Sequence, residues 1–240
     1  MTKLEEFRAD IRAMGLAGWF LYGVDRALNR ISRGRMRLWA FWFYAQTIPP
    51  RPLLVANRSG KIQVGPLADG AIDLALFDRP PGAIEERFAA GSVCIAVIDG
   101  EKLAGFMWLH FGKFREYMLE CDFEPLPPAL ACWDFDLEIS PEYRLGRTFA
   151  RLWDEANRLL RERGVAVSVS WVKVGNLASQ RAHQRMGALR LGWLAVLDLF
   201  GLKLAARSAW PFMAIALPGR RLSIQVDASS VLAAAQDHST

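Results

Sequence analysis

The sequence predicts a mixed α/β domain: a central sheet flanked by helices, with a helical and aromatic extension at the N-terminus. Three observations carry that expectation. Trp133-Asp134-Phe135-Asp136-Leu137-Glu138-Ile139 alternates apolar and acidic residues with period two, the pattern of an extended strand. Ser140-Pro141-Glu142 breaks it, and a short basic turn, Tyr143 to Arg147, leads into an amphipathic helix. Phe149, Leu152, Trp153, Ala156, Leu159 and Leu160 share one face of that helix, which starts near Thr148 and is closed by Gly164. Finally, Ser92 to Ile98 and Lys102 to Phe111 read as two strands joined at Asp99-Gly100, a dipeptide suited to the tight turns that match strand twist.

The other elements follow in chain order. Residues 3 to 14 form an amphipathic helix, with Leu4, Phe7, Ile11 and Met14 on one side. A second helix runs from Ala17 to about Ser32 and ends in a basic run, Arg30, Arg33, Arg35 and Arg37. Leu38 to Tyr44 is densely aromatic. It reads as a buried strand behind solvated arginines. The alternative is that residues 17–44 make a peripheral membrane contact, since basic and aromatic side chains suit the headgroup region. Pro49-Pro50-Arg51-Pro52 marks a break. It divides the chain into an extension over 1–52, a core over 53–220 and a loosely ordered tail over 221–240.

A hairpin is expected around Asn57-Arg58-Ser59-Gly60, and a helix over Ala83 to Ala90, closed by Gly91. Lys113 to Leu130 mixes aromatic and acidic residues and ends in prolines. It is an insertion that either covers the sheet or shapes access for a cationic substrate. Val165 to Val174 is β-rich, Asn176 opens a helix that stops at Gly187, and Leu189 to Val196 and Ser208 to Leu217 read as terminal strands. The last dozen residues, rich in Ala and Ser, read as loosely held.

At 240 residues, 52% of them hydrophobic and 23% charged, the chain can bury a sizeable core and is not generally disordered. The net charge of +5 suits an anionic partner, and coenzyme A, nucleic acid and anionic lipid all qualify. Nucleic acid ranks low, because the arginine cluster is short and no reading motif accompanies it. A homodimer stays open. Cys94, Cys121 and Cys132 lack metal-ligand spacing, so no metal is expected, and an odd number argues against a disulfide framework. With a polar, acidic start and no apolar run of membrane-spanning length, the expectation is a cytoplasmic protein, peripheral to the membrane if residues 17–44 touch lipid.

Two segments resemble the GNAT N-acetyltransferase superfamily. Ile139-Ser140-Pro141-Glu142-Tyr143-Arg144 looks like the end of the family's fourth strand and the start of its pyrophosphate loop. Asn176 to Gly187 is similar to the later motif, with Asn, a small residue (Ser179) at +3, an aromatic position (His183) at +7 and Gly at +11. The likeness is specific over these segments and looser over about residues 70 to 217. It implies a mostly antiparallel sheet and transfer of an acetyl or longer acyl group from acyl-CoA to an amine. The acceptor is a small molecule or a lipid- or sugar-linked amine, attacking directly within a ternary complex. The alternatives are a non-catalytic acyl-CoA-binding or interaction module and a peripheral membrane-binding protein.

The chemistry can be followed residue by residue. A helix N-terminus binds phosphate through its free N–H groups and its dipole. Arg144, Gly146, Arg147 and Thr148 occupy that place, with the two guanidiniums available to phosphate. In the register set by Pro141 and Leu152, Arg147 and Phe149 stand where the family carries its glycine and its Gly/Ala. Asp134, Asp136 and Glu138, at i, i+2 and i+4, are expected on one strand face. Such crowding should raise at least one pKa and supply a general base. The bland reading is a solvated acidic face or pairing with arginines. The oxyanion donor would be a backbone N–H near Leu137 to Ile139. By the resemblance, Asn176 and Ser179 accommodate the pantetheine arm and His183 protonates the leaving thiolate near pH 7. The bland reading of His183 is a half-buried helix histidine; His110 and His238 have no motif behind them.

Overall fold

The computed structural model describes residues 3–54, 62–80, 82–144 and 146–237. The hairpin expected at 57–60, the side chains of Leu4 and Phe7, and His238 lie outside the described part. Along the chain the elements are α1 (Lys3–Ile31), β1 (Met36–Thr47), β2 (Ile62–Leu67), α2 (Ala83–Ala89), β3 (Val93–Asp99), β4 (Lys102–Phe111), β5 (Phe114–Glu116) and β6 (Cys121–Leu126). They continue with β7 (Ala131–Ile139), α3 (Thr148–Glu162), β8 (Val167–Lys173), α4 (Leu177–Arg185), β9 (Leu189–Leu199), β10 (Leu202–Arg207), β11 (Met213–Ala216), β12 (Leu222–Asp227) and α5 (Ser229–Asp237). Gly15, at φ 70 and ψ 164, kinks α1 where the sequence predicts the break between two helices.

These elements form two compact units that interleave in sequence. One comprises residues 1–46, 114–124 and 169–240, the other 47–113 and 125–168.

In the second unit the strand order is β7-β4-β3-β2, each pair antiparallel. β3 and β4 form the predicted hairpin, with Gly100 at φ 63 in its turn. Both strands are buried along most of their length, so they read as continuous apolar runs. One face packs Phe77, Ile84, Phe106 and Trp108 with partly buried Phe88 and Phe135. α3 buries Leu152, Trp153, Ala156 and Leu160, the face that its sequence period predicts.

In the first unit the order is β11-β10-β9-β1-β8, and β12-β6-β5 form a separate small sheet. β1 pairs antiparallel with β9, setting Phe41 opposite Leu194 and Trp39 opposite Val196. Phe41, Phe43 and Tyr44 are buried, and the Phe41 ring meets Trp171 edge-on at 4.5 Å.

The structure differs from the sequence reading in four places. Residues 36–47 are not part of a packed-on extension. They form an inner strand between β9 and β8, because a run with large apolar groups on both faces is buried on both only inside a sheet. The stretch 113–130 contains β5 and β6 rather than only loop. Residues 221–240 are not a loose tail. Leu222, Ile224 and Val226 alternate inward along β12, and Val231 of α5 is buried. The terminal strand expected over 208–217 is shortened to β11, a turn occupying 208–212.

Candidate functional site

In the second unit the predicted acidic strand contains a bulge. Phe135 stands opposite Trp108 and Glu138 opposite Phe106, so Asp136 and Leu137 together face the single residue Met107. Asp136 takes the left-handed conformation, φ 49. The extra residue shifts the side-chain phase. Phe135 and Glu138 now share one face, and Asp134 and Ile139 the other. The three carboxylates therefore do not line one face, contrary to the period-two expectation.

Each carboxylate has its own surroundings. Asp134 is buried and accepts a hydrogen bond from the Ser168 hydroxyl at 2.5 Å. Asp136 is clamped by two arginines. Arg79 donates through Nη2 at 2.5 Å and Nε at 2.9 Å, and Arg87 through Nη1 at 2.5 Å. Arg79 Nη2 also reaches Glu138 Oε2 at 2.6 Å. Both guanidiniums lie over aromatic rings, Arg79 over Phe106 and Arg87 over Trp108 and Phe135. Burial alone would raise the Asp136 carboxyl, but the two guanidiniums outweigh it and hold it below the ordinary carboxylate range. Asp136 is thus the opposite of a base with a raised pKa. Glu138 is the most exposed side chain of this acid–arginine cluster.

Beyond β7, the chain is tied down before α3 begins. Ser140 donates its hydroxyl to Leu103 O at 2.7 Å and its N–H to Ala104 O at 3.0 Å, and the Tyr143 hydroxyl reaches Asp99 at 3.0 Å. Arg144 Nε folds back onto the Ile139 carbonyl at 3.0 Å, and Gly146 N–H bonds to Tyr143 O at 3.1 Å. Arg147 is the N-cap of α3, at φ −87 and ψ 6, and its own side chain makes no capping hydrogen bond. That backbone conformation suits any residue, so the departure from glycine at Arg147 leaves no strain. Arg144, Gly146 and Arg147 are exposed, whereas the Thr148 side chain is buried. A Cβ on Gly105 would lie 2.9 Å from Glu138 O and 3.1 Å from the Thr148 methyl, so this glycine lets the end of β7 and the start of α3 press onto β4. The first N–H groups of α3 have no acceptor within the helix. The result is an open helix N-terminus with two arginines beside it.

The remaining predicted residues lie in the first unit, on α4. Asn176 is its N-cap, and the carboxamide oxygen accepts the Ser179 N–H at 3.1 Å. His183 stacks on Tyr44, with ring centroids 5.3 Å apart and planes 14° apart. Burial pushes the imidazole down to about 4. At pH 7 it is neutral, so it offers no imidazolium to a leaving thiolate. His110 is buried in the second unit, with Nδ1 2.9 Å from the Ser92 hydroxyl and Nε2 3.1 Å from Lys113 O.

Pairing with arginines was one of the bland readings of the acidic strand, but the sequence did not identify Arg79 and Arg87 as the partners. They stand 57 and 49 residues before Asp136, on a loop and on α2, and no local period or spacing links them to β7. The available hint was general: buried carboxylates need cationic partners.

No protein-family model and no curated protein matches the chain. Solved structures do show likeness. A putative acetyltransferase of the GNAT family from Novosphingobium aromaticivorans is 14% identical, with TM-score 0.44 over 67% of this chain and 65% of that one. A GCN5-related N-acetyltransferase from Kribbella flavida is 11% identical, with TM-score 0.43 over 70% of this chain and 60% of that one. One from Sphaerobacter thermophilus is 16% identical, with TM-score 0.40 over 71% and 54%. The chain thus spans between about half and two thirds of the length of these solved proteins. Likenesses of this strength carry no argument about activity, which has to come from the residues.

Proposed function

We propose that the chain is an acyl-CoA-dependent N-acyltransferase, with an acetyl group the first donor to test. One observation carries the reading: the strand–loop–helix turn from β7 to α3 presents an open helix N-terminus flanked by exposed Arg144 and Arg147. Backbone N–H groups, helix dipole and two guanidiniums together suit a pyrophosphate. In the reaction the acceptor nitrogen attacks the thioester carbonyl carbon, the C–S bond breaks, and an N–H proton leaves. Glu138, the more exposed carboxylate of the arginine cluster, takes that proton directly or through a water. The amide of Leu137, in the bulge and outside the residue-for-residue pairing with β4, is the oxyanion donor. The thiolate collects its proton from solvent.

The experiment is calorimetric titration with acetyl-CoA and a long-chain acyl-CoA, followed by an amine screen for thiol release. Binding in the micromolar range is expected, weakened about tenfold or more by Arg144→Ala or Arg147→Ala, since charge-assisted bonds contribute about 1.5–3 kcal/mol each. Glu138→Gln should lower kcat and leave binding unchanged. Folded protein that binds neither thioester overturns the proposal. A second reading, an acyl-CoA-binding module without turnover, is favoured by the clamped Asp136 and the neutral His183. Binding without thiol release across the amine screen would select it.

A further inference from the structure

Helix α1 turns an apolar stripe to solvent. Its inward side is fixed by two contacts within the first unit. Gly18 is buried so tightly that an added Cβ would lie 2.5 Å from Gly175 Cα. Asp25 accepts Arg37 Nε at 2.9 Å, Arg37 Nη2 at 3.2 Å and the Leu38 N–H at 2.9 Å. On the opposite side Leu16, Phe20, Gly23, Ala27 and Ile31 follow one another at spacings of four and three residues. At about 100° per residue they lie within an arc of about 80°. All five are exposed, with Leu16 at 71%, Phe20 at 62% and Ile31 at 81%. A stripe with this period is what a helix ordinarily buries.

The charge around the stripe has one sign. By the same angular count Arg30 falls about 20°, and Arg26 about 60°, beyond one edge of it. Arg33 and Arg35 are exposed just past the helix end. Between residues 16 and 37 the one acidic residue is Asp25, and it is turned inward onto Arg37. We infer that the outward face of α1 docks on an anionic lipid bilayer. Leu16, Phe20 and Ile31 enter the boundary of the acyl region, and the flanking arginines meet lipid phosphates. The aromatic run of β1, which the sequence offered for this role, is excluded because Phe41, Phe43 and Tyr44 are buried. A second copy is a poor occupant, since its Asp25 is turned inward and it offers these arginines no acidic residue from the same face.

The test is co-sedimentation of the full chain with vesicles of phosphatidylcholine alone and of phosphatidylcholine mixed with phosphatidylglycerol. Binding is expected only to the mixed vesicles, falling as salt is raised. Phe20→Glu should abolish it. Arg26→Gln and Arg30→Gln should each weaken it about fivefold, the worth of one basic residue at an anionic surface. Both arginines are exposed, so the paired arginine variant decides the matter if Phe20→Glu does not fold. Three outcomes overturn the proposal: no binding to mixed vesicles at low salt, equal binding to neutral vesicles, or binding unchanged in the arginine variants. Concentration-dependent dimerisation that Phe20→Glu removes would also overturn it, assigning the face to a second copy.

Discussion

Asp136 holds a left-handed backbone conformation between two arginines, and its substitution by asparagine separates charge from shape. Asn tolerates positive φ nearly as well as Asp and keeps the same outline, so the bulge survives. What is lost is the negative charge facing Arg79 and Arg87. Asp136→Asn should lower stability at pH 7 by about 2–4 kcal/mol, near the range for breaking a mostly buried pair. The pH dependence has a definite sign. The folded pKa of Asp136 lies below the unfolded carboxylate value, so its contribution is fully present above about pH 4 and is lost as pH falls through the folded value. Urea unfolding across the acid range should therefore show a steeper loss in the parent than in Asp136→Asn. Parallel curves would mean that the clamp contributes nothing. The bulge also explains why the site was only partly legible. The alternation in 133–139 announces a strand, but a bulge adds one residue without changing the pattern of types, so the face of each carboxylate could not be read from it.

At the scale of elements, the start of α3 depends on a residue outside it. Gly105 on β4 lies beneath both Glu138 O and the Thr148 methyl. Gly105→Ala would insert a methyl group 2.9 Å from a backbone oxygen, closer than real contacts allow, and the end of β7 and the helix N-terminus must move away together. The stability cost should be about 1–3 kcal/mol. If the N-terminus of α3 holds the acyl-CoA, affinity by calorimetry should fall at least tenfold in a variant that still unfolds cooperatively. Unchanged affinity would remove α3 from the binding site. Elements such as α3, the β3–β4 hairpin and α4 were legible because their signals are local: a 3.6 period, an Asp-Gly turn, an Asn cap. Strands β5, β6 and β12 were not. Each is short, and although β5 and β6 pair locally, β6 pairs with β12 across about a hundred residues, the separation also seen in the bond from Arg221 to Asp122.

At the scale of the molecule, each unit is assembled from separated stretches of chain, so a boundary read as a composition shift falls inside a unit. The Pro49-Pro50 break does lie near the passage from one unit to the other. The break drawn at 220 does not, because the residues after it complete the first unit. Leu222, Ile224 and Val226 are each at most 4% exposed, and Val231 of α5 is equally buried. Arg221 donates to Asp122 at 2.7 Å and to the Glu116 carbonyl at 2.7 Å, tying β12 to the segment around β5 and β6. Four buried aliphatic side chains at about 1.5–3 kcal/mol each exceed any worth of a loosely held tail. Ending the chain at residue 220 should therefore remove on the order of 5 kcal/mol or more, a large part of the 5–15 kcal/mol typical of a folded domain. Thermal and urea unfolding of the shortened chain measure this directly. A midpoint within a few degrees of the parent would mean that β12 and α5 are dispensable and that the first unit ends at β11.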